Sequence, residues 1–381
     1  MTVLDQRINH SVLEAVLRPV QPVAAVYLGE APEVQNEYQL AWHTRWRPLA
    51  ATLHEQGADE ATVRALEGAM RDPASSRAAR GSGQLVGFGR DGKVLAVLTV
   101  PRLAGADLAR YGAPAHVVPL LSWEQQHPPY VLAVLDRTGA DLEVSIGLGN
   151  PPVRTSIEGP DDEVERNAPG GWEGLTQGRY QRRAEDSWAH NAGAAADAVE
   201  AALRRVHAKI LVVAGDVRAE QYFMEKLPAW VRKEVTIERI SGHRSEDGSE
   251  RARDDAVARV LHEAVDLHTA ALWERFLEAR APHGLGVDGP TQTLAALAEG
   301  RVHTLIVSAG GVEDAQAWFG EVPTQVHAAG DSGPTWSDPR SGALVDVAVR
   351  AAVLTDAEVA VLPPEVDFGP EGGLGGICRY R

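Results

Sequence analysis

The sequence predicts an α/β protein of three domains, and three observations carry that expectation. At 381 residues the chain is too long for one compact core. It is 44% hydrophobic and 24% charged, so it has the apolar material for several cores. Short strand patterns alternate with longer helical ones, broken at the patternless Gln125–Pro129 and again at the charged, Gly/Ser-rich stretch Ser241–Arg253. The expected domains are therefore 1–126, 127–246 and 247–381.

In the first, Leu4–Leu17 reads as a short amphipathic helix and Val23–Leu28 as a buried strand. Trp42–Gln56 and Asp59–Arg71 read as helices, the second with Asp59 near its N-cap and Arg71 in its last turn. Asp72–Gly83 is a Ser/Gly/Arg loop. Gln84–Phe88 and Lys93–Val100 form a hairpin across Arg90-Asp91-Gly92.

The second domain opens with Tyr130–Leu135, a turn at Asp136–Gly139, and Leu142–Ile146, followed by a third strand at Val153–Ile157. A polar, acidic loop (Glu158–Arg166) precedes Gly170-Gly171 and a long helical stretch to about His207. Strand Ile210–Val213, helix Val217–Leu227 and strand Val235–Ile240 complete it. Three antiparallel strands, helix, strand, helix, strand is the order of a ribonuclease H-like domain. In the third domain, helices over Asp255–Glu278, Pro290–Ala298 and Ala343–Leu354 alternate with strands over Thr304–Val307, Glu358–Leu362 and Ile377–Tyr380. An irregular Gly/Pro stretch spans Gly320–Gly342, and the whole suggests a small three-layer α/β/α sandwich.

Composition narrows the function classes. No apolar run approaches the ~20 residues that a membrane span needs, and Met1–Arg18 lacks a signal-peptide pattern. Cys378 is the sole cysteine, so no disulfide framework or thiolate metal cage is expected, and a lone thiol fits a reducing cytoplasm. A net charge of −16 argues against a non-specific nucleic-acid coat protein but leaves room for RNA contact through a local basic patch.

Several catalytic signatures are missing. Gly81-Ser82-Gly83 with Gly87 precedes a strand instead of following one, so it is no dinucleotide fingerprint; there is no phosphate loop or nucleophile elbow. His262 and His268 are six apart and fall on different helix faces, whereas a zinc-protease pair needs four. Asp136, Glu185 and Asp216 stand about where a ribonuclease H-like nuclease holds its metal ions. Each has a plainer role, as turn former, partner of Arg182 and helix N-cap respectively. No metal or cofactor is expected.

The segment Gly170–Arg183 is different. Its four glycines free the backbone, Trp172 and Tyr180 offer stacking faces, and Arg179, Arg182 and Arg183 form a positive cluster in an acidic chain. Glycines, aromatics and arginines together suit contact with folded or single-stranded RNA. The plainer reading is a loop whose Trp tucks into its own core and whose arginines are solvated.

On these residues the chain resembles the archaeo-eukaryotic class I release factor and Pelota superfamily, most closely its bacterial branch of Balon-like ribosome hibernation factors. That family carries Gly-Gly-Gln on a loop of a ribonuclease H-like middle domain, then an Arg-aromatic-x-Arg step and a His or Asn along the same helix. Here Gly170-Gly171, Gln177, Arg179-Tyr180-Gln181-Arg182 and His190-Asn191 stand in that order. Gly289–Leu305 and Gly375–Tyr380 are similar to the family's C-terminal domain. Trp172 stands where the catalytic glutamine should follow the glycines, and the first domain lacks the Asn-Ile-Lys-Ser stop-codon motif.

The resemblance implies a release factor-like N-domain, a ribonuclease H-like middle domain and a C-terminal sandwich of the Pelota type. It also implies a stress-related factor that occupies the A site of idle or stalled ribosomes, reads no stop codon, and is delivered by elongation factor Tu or a related translational GTPase. Its RNA-binding residues would be Gly170, Gly171, Trp172, Gln177, Arg179, Tyr180, Arg182 and Arg183. The alternative is a peptidyl-tRNA hydrolase that rescues stalled ribosomes, in which Gln177 is catalytic and positions water.

Overall fold

The computed structural model describes residues 10–29, 35–71, 83–101, 107–136, 138–147, 152–158, 191–242, 249–308, 315–330 and 333–381. They fall into two compact units, one built mainly from 127–147 and 151–266, the other from 5–126 and 267–381.

The larger unit opens with α1 (His10–Leu17), β1 (Val23–Leu28), α2 (Gln35–Glu55), α3 (Glu60–Arg71), β2 (Gly83–Arg90), β3 (Lys93–Pro101), β4 (Leu108–Gly112) and α4 (Val118–Gln126). The strands form an antiparallel sheet in the order β3-β2-β1-β4. β1 is buried along its whole length because both faces are covered. Ala24, Val26 and Leu28 pack with Trp42, Leu53 and Leu66 of α2 and α3, while Val23, Ala25 and Tyr27 face a second core with Leu13 and Leu17 of α1. That is the two-residue period of a strand covered on both sides.

Local signals hold where they were expected. Asp59 caps α3, its carboxylate accepting from the Thr62 N–H (2.8 Å) and hydroxyl (2.6 Å), and these bonds hold its pKa below the usual value. Asp91 and Gly92 both have positive φ (52° and 70°), the backbone of a tight hairpin turn. α2 begins at Gln35, seven residues before the expected Trp42, because its polar opening carries no apolar stripe.

The smaller unit holds β5 (Tyr130–Leu135), β6 (Gly139–Ser145), β7 (Val153–Glu158), a helix α5 described over 191–206, β8 (Ile210–Gly215), α6 (Val217–Lys226), α7 (Ala229–Glu234) and β9 (Thr236–Arg239). The sheet order is β7-β6-β5-β8-β9, with β6 antiparallel to both neighbours and β5, β8 and β9 parallel. Along the chain the order is the expected one, three antiparallel strands followed by helix, strand, helices and strand. One face is covered by α5, α6 and α7 through Val199, Leu203, Phe223 and Val231. The other is covered by Val257 and its neighbours on α8 (Ser249–Ala279), which begins inside the stretch expected as a linker.

The larger unit resumes with β10 (Gly286–Asp288), α9 (Pro290–Ala298), β11 (Val302–Ser308), β12 (Gln316–Phe319), β13 (Val326–Ala328), β14 (Arg340–Ala343), α10 (Leu344–Leu354), β15 (Glu358–Leu362) and β16 (Leu374–Cys378). The sheet β10-β16-β11-β15 lies between α9 and α10 on one side and Leu272 and Phe276 of α8 on the other, the expected sandwich. Its core is continuous with that of residues 13–123.

Polar ties cross this shared core. Arg350 on α10, 1% exposed, donates to the carbonyls of Leu17 and Glu321 (3.0 Å each), and burial lowers its pKa to about 10. His116 Nδ1 lies 2.8 Å from Asp346 Oδ1. The Gln125 side chain donates to the Val359 carbonyl and accepts from the Val361 N–H, extending the edge of β15 like one more peptide unit.

Candidate functional site

Every residue expected to touch RNA, Gly170, Gly171, Trp172, Gln177, Arg179, Tyr180, Arg182 and Arg183, lies outside the described residues, as do Glu185 and His190. Whether Gln177 sits at a loop tip or inside a helix lies outside them too. The flanks of 159–190 are described, and they fix where the segment leaves and rejoins the smaller unit. β7 runs antiparallel to β6, so its last residue, Glu158, pairs with Gly139 at the end of the sheet where β5 and β8 finish. The segment rejoins at α5, which carries the chain back to the start of β8. In open α/β sheets, this carboxyl end of the parallel strands is where ligands bind, because the loops there are free of the packing that holds the strands.

Two glycines make that end possible. A Cβ on Gly139 would lie 1.8 Å from the Ile157 carbonyl oxygen, and one on Gly215, whose φ is +139°, would lie 2.0 Å from the Leu135 oxygen. Only a bare Cα lets the strands close there.

Asp136 and Asp216 follow the paired strand ends Leu135 and Gly215, so the fold does bring them to neighbouring positions. The Asp216 N–H donates to the Leu135 carbonyl (3.1 Å). Both carboxylates already serve backbone donors. Asp136 Oδ1 accepts from Thr138 N–H (2.7 Å), Thr138 Oγ1 (2.8 Å) and Gly139 N–H (2.9 Å). Asp216 Oδ1 accepts from Arg218 N–H (2.9 Å) and Ala219 N–H (3.4 Å), capping α6. These are the turn and cap roles that their positions suggested. Among the described residues, no group of three or more His, Cys, Asp or Glu side chains could hold a metal ion. His262 pairs with Asp266 (3.6 Å) one turn along α8.

The electrostatics of this end are acidic. Asp136, Glu158, Asp216 and Glu220 cluster around the strand ends. Burial raises the Glu220 pKa, Arg239 at 4.0 Å opposes the rise, and Asp216 adds to it. Arg218 and Arg239 stand at the same end, Arg239 4.0 Å from Glu220.

Sequence reasoning missed two arrangements in this unit. Glu143 accepts from Tyr130 Oη (3.0 Å) and Arg154 Nε (3.1 Å); Glu143 and Arg154 are register partners, a cross-strand pair that only strand pairing reveals. Trp230 Nε1 donates to Glu200 (2.7 Å), and the Arg204 guanidinium stands 4.5 Å above the Trp230 ring. Glu200 and Arg204 are four apart, a helix pair legible in the sequence, but Trp230 is not.

Residues 129–282 match the model of bacterial archaeo-eukaryotic release factor family 2. Two curated proteins of Mycobacterium tuberculosis, Rv2629 and MT2704, are each 27% identical over 367 residues, covering 94% of this chain and 93% of theirs. Among solved structures, archaeal Pelota in a ribosome-bound model with ABCE1 is 14% identical, covering 100% of this chain and 96% of its own, with a TM-score of 0.44. Yeast Dom34, a translation termination-like factor interacting with Hbs1, is 11% identical, covering 78% and 79%, with a TM-score of 0.40. No described helix is long and apolar enough to cross a membrane.

Proposed function

We propose that this chain, whose middle segment belongs to the bacterial branch of the archaeo-eukaryotic release factor superfamily, is a ribosome-binding translation factor. In this reading it occupies the A site of idle or stalled ribosomes and protects them, without reading a stop codon. The observation that carries the reading is the family match over 129–282, which contains the whole of 159–190 and both of its anchors, β7 and α5. A segment with Trp172, Tyr180 and three arginines, entered from Glu158 at the carboxyl end of the parallel strands, is suited to reach into folded RNA. We further propose domain boundaries near 126 and 246, and delivery by a translational GTPase such as elongation factor Tu.

The test is sedimentation of the purified chain with vacant ribosomes, with and without elongation factor Tu, followed by competition with A-site tRNA. Co-migration that tRNA displaces is the expected result. Clean separation at low salt in both conditions overturns the reading. The same complexes, loaded with peptidyl-tRNA in the P site, keep their ester intact if the chain is a binding factor; release that disappears in Gln177→Ala would establish the hydrolase instead.

A further inference from the structure

We infer that the opposite end of the same sheet is a second RNA-contact surface, a basic platform of Arg204, Arg205, Lys209, Arg232 and Lys233 that takes phosphate groups of folded RNA. It is built from residues other than 159–190 and does not depend on what that segment does.

Three separate elements assemble it. α5 ends at 206 and the chain turns at once, with His207 at φ 53° and Ala208 N–H donating to the Leu203 carbonyl (3.0 Å), so that one tight turn separates Arg204 and Arg205 from Lys209, just before β8. α7 ends alongside. The Thr236 N–H donates to the Lys209 carbonyl (2.8 Å), and Lys209 Nζ reaches Glu234 (3.6 Å). Arg204 is fixed across the gap, over the Trp230 ring and 2.9 Å from Glu200.

Charge decides the partner. In a chain of net charge −16, two of the five cations are already paired, Arg204 with Glu200 and Lys209 with Glu234. Helix C-termini attract cations, but that effect is confined to the last turn and is small for exposed groups. It does not call for exposed Arg205, Arg232 and Lys233 together, none of which has a carboxylate within ion-pair reach among the described residues. Three of the five are arginines, whose planar fork matches phosphate oxygens. The cations lie on α5, on α7 and at the turn into β8, the elements that cover one face of the sheet, while α8 covers the other. At ~1.5 Å per residue the described part of α5 is about 24 Å long, so the platform lies far from Asn191, where the described chain resumes.

The test uses the full chain and a short labelled RNA duplex, with binding measured over a range of salt concentrations. Replacing Arg232→Gln and Lys233→Gln should lower the slope of log affinity against log salt by about 1.5–2 units, because each phosphate left without its cation keeps about one counterion. Affinity at low salt should fall at least roughly tenfold. A control pair in the other unit, Arg64→Gln with Lys93→Gln, should change neither. Should the first pair lower the melting temperature, Arg205→Gln, on α5, should still lower the slope by about one unit. An unchanged slope in both platform variants overturns the proposal. So does an equal loss in the control pair, or tighter binding to polyglutamate or phosphatidylglycerol vesicles than to RNA. Arg179→Glu with Arg183→Glu separates this surface from the ribosome-binding reading: it should leave the slope change produced by the platform variants intact, whatever happens to A-site competition.

Discussion

Gly139 and Glu158 face each other across the last rung of the β6–β7 ladder, with no room for a side chain on the glycine. This rung is where the chain departs into 159–190, so the anchor of the candidate RNA-binding segment depends on one hydrogen atom in place of a methyl group. Gly139→Ala should destabilise the smaller unit by about 1–3 kcal/mol, because the clash is with backbone, which cannot swing aside. Urea unfolding measures the loss; an unchanged midpoint would show that β7 can shift at no cost.

The arginines of 159–190 are expected to supply much of the attraction for RNA, since the chain as a whole carries a net charge of −16. Arg179→Glu with Arg183→Glu should weaken ribosome binding and reduce its salt slope by roughly one unit for each phosphate no longer neutralised. Tyr180→Ala should lower affinity by ~1–3 kcal/mol by removing a stacking face, with little change in slope. If instead the double charge reversal leaves binding intact and Tyr180→Ala lowers the melting temperature, the arginines are solvated and the tyrosine is core.

Asp216 and Asp136 should behave as structural carboxylates. Asp216→Ala removes the α6 cap and should cost about 0.5–2 kcal/mol, whereas Asp216→Asn should cost little, since an amide oxygen caps as well. No magnesium-dependent RNA cleavage is expected; cleavage that disappears in Asp136→Asn would make this sheet end a nuclease site.

Glu220 gives a pH signature. Burial raises its pKa in the fold above the ordinary 4.5, so the folded chain holds this proton more tightly than the unfolded chain does. The contribution to stability is therefore full below pH 4.5 and is lost as pH rises through the folded value. Against Glu220→Gln, which cannot ionise, the wild type should compare best at acid pH and worse near neutral pH. Unfolding both proteins in urea under the two conditions checks the sign, and a relative stability that is flat with pH would contradict it.

Local chemistry was legible in the sequence wherever one or two neighbouring residues decide the structure. β1 reads as a buried strand, Asp91-Gly92 as a hairpin turn, and Asp59 and Asp216 as caps, because each depends on backbone angles and donors within a few residues. The succession of strands and helices along the smaller unit is also legible in the sequence, whereas the sheet order β7-β6-β5-β8-β9 is decided by strand pairing. Other features depend on partners far along the chain. β4, with an arginine in the middle of five residues, is a strand because β1 is there to pair with it. α4 positions Gln125 to finish the edge of β15 more than two hundred residues later, although Gln125–Pro129 reads as patternless. Periodicity could not show that residues 13–123 and 294–378 share one core, nor that Trp230 meets Glu200 and Arg204. Periodicity reports which face of an element is apolar; which surface covers that face, and which charges are left beside one another, is decided only when distant segments pack.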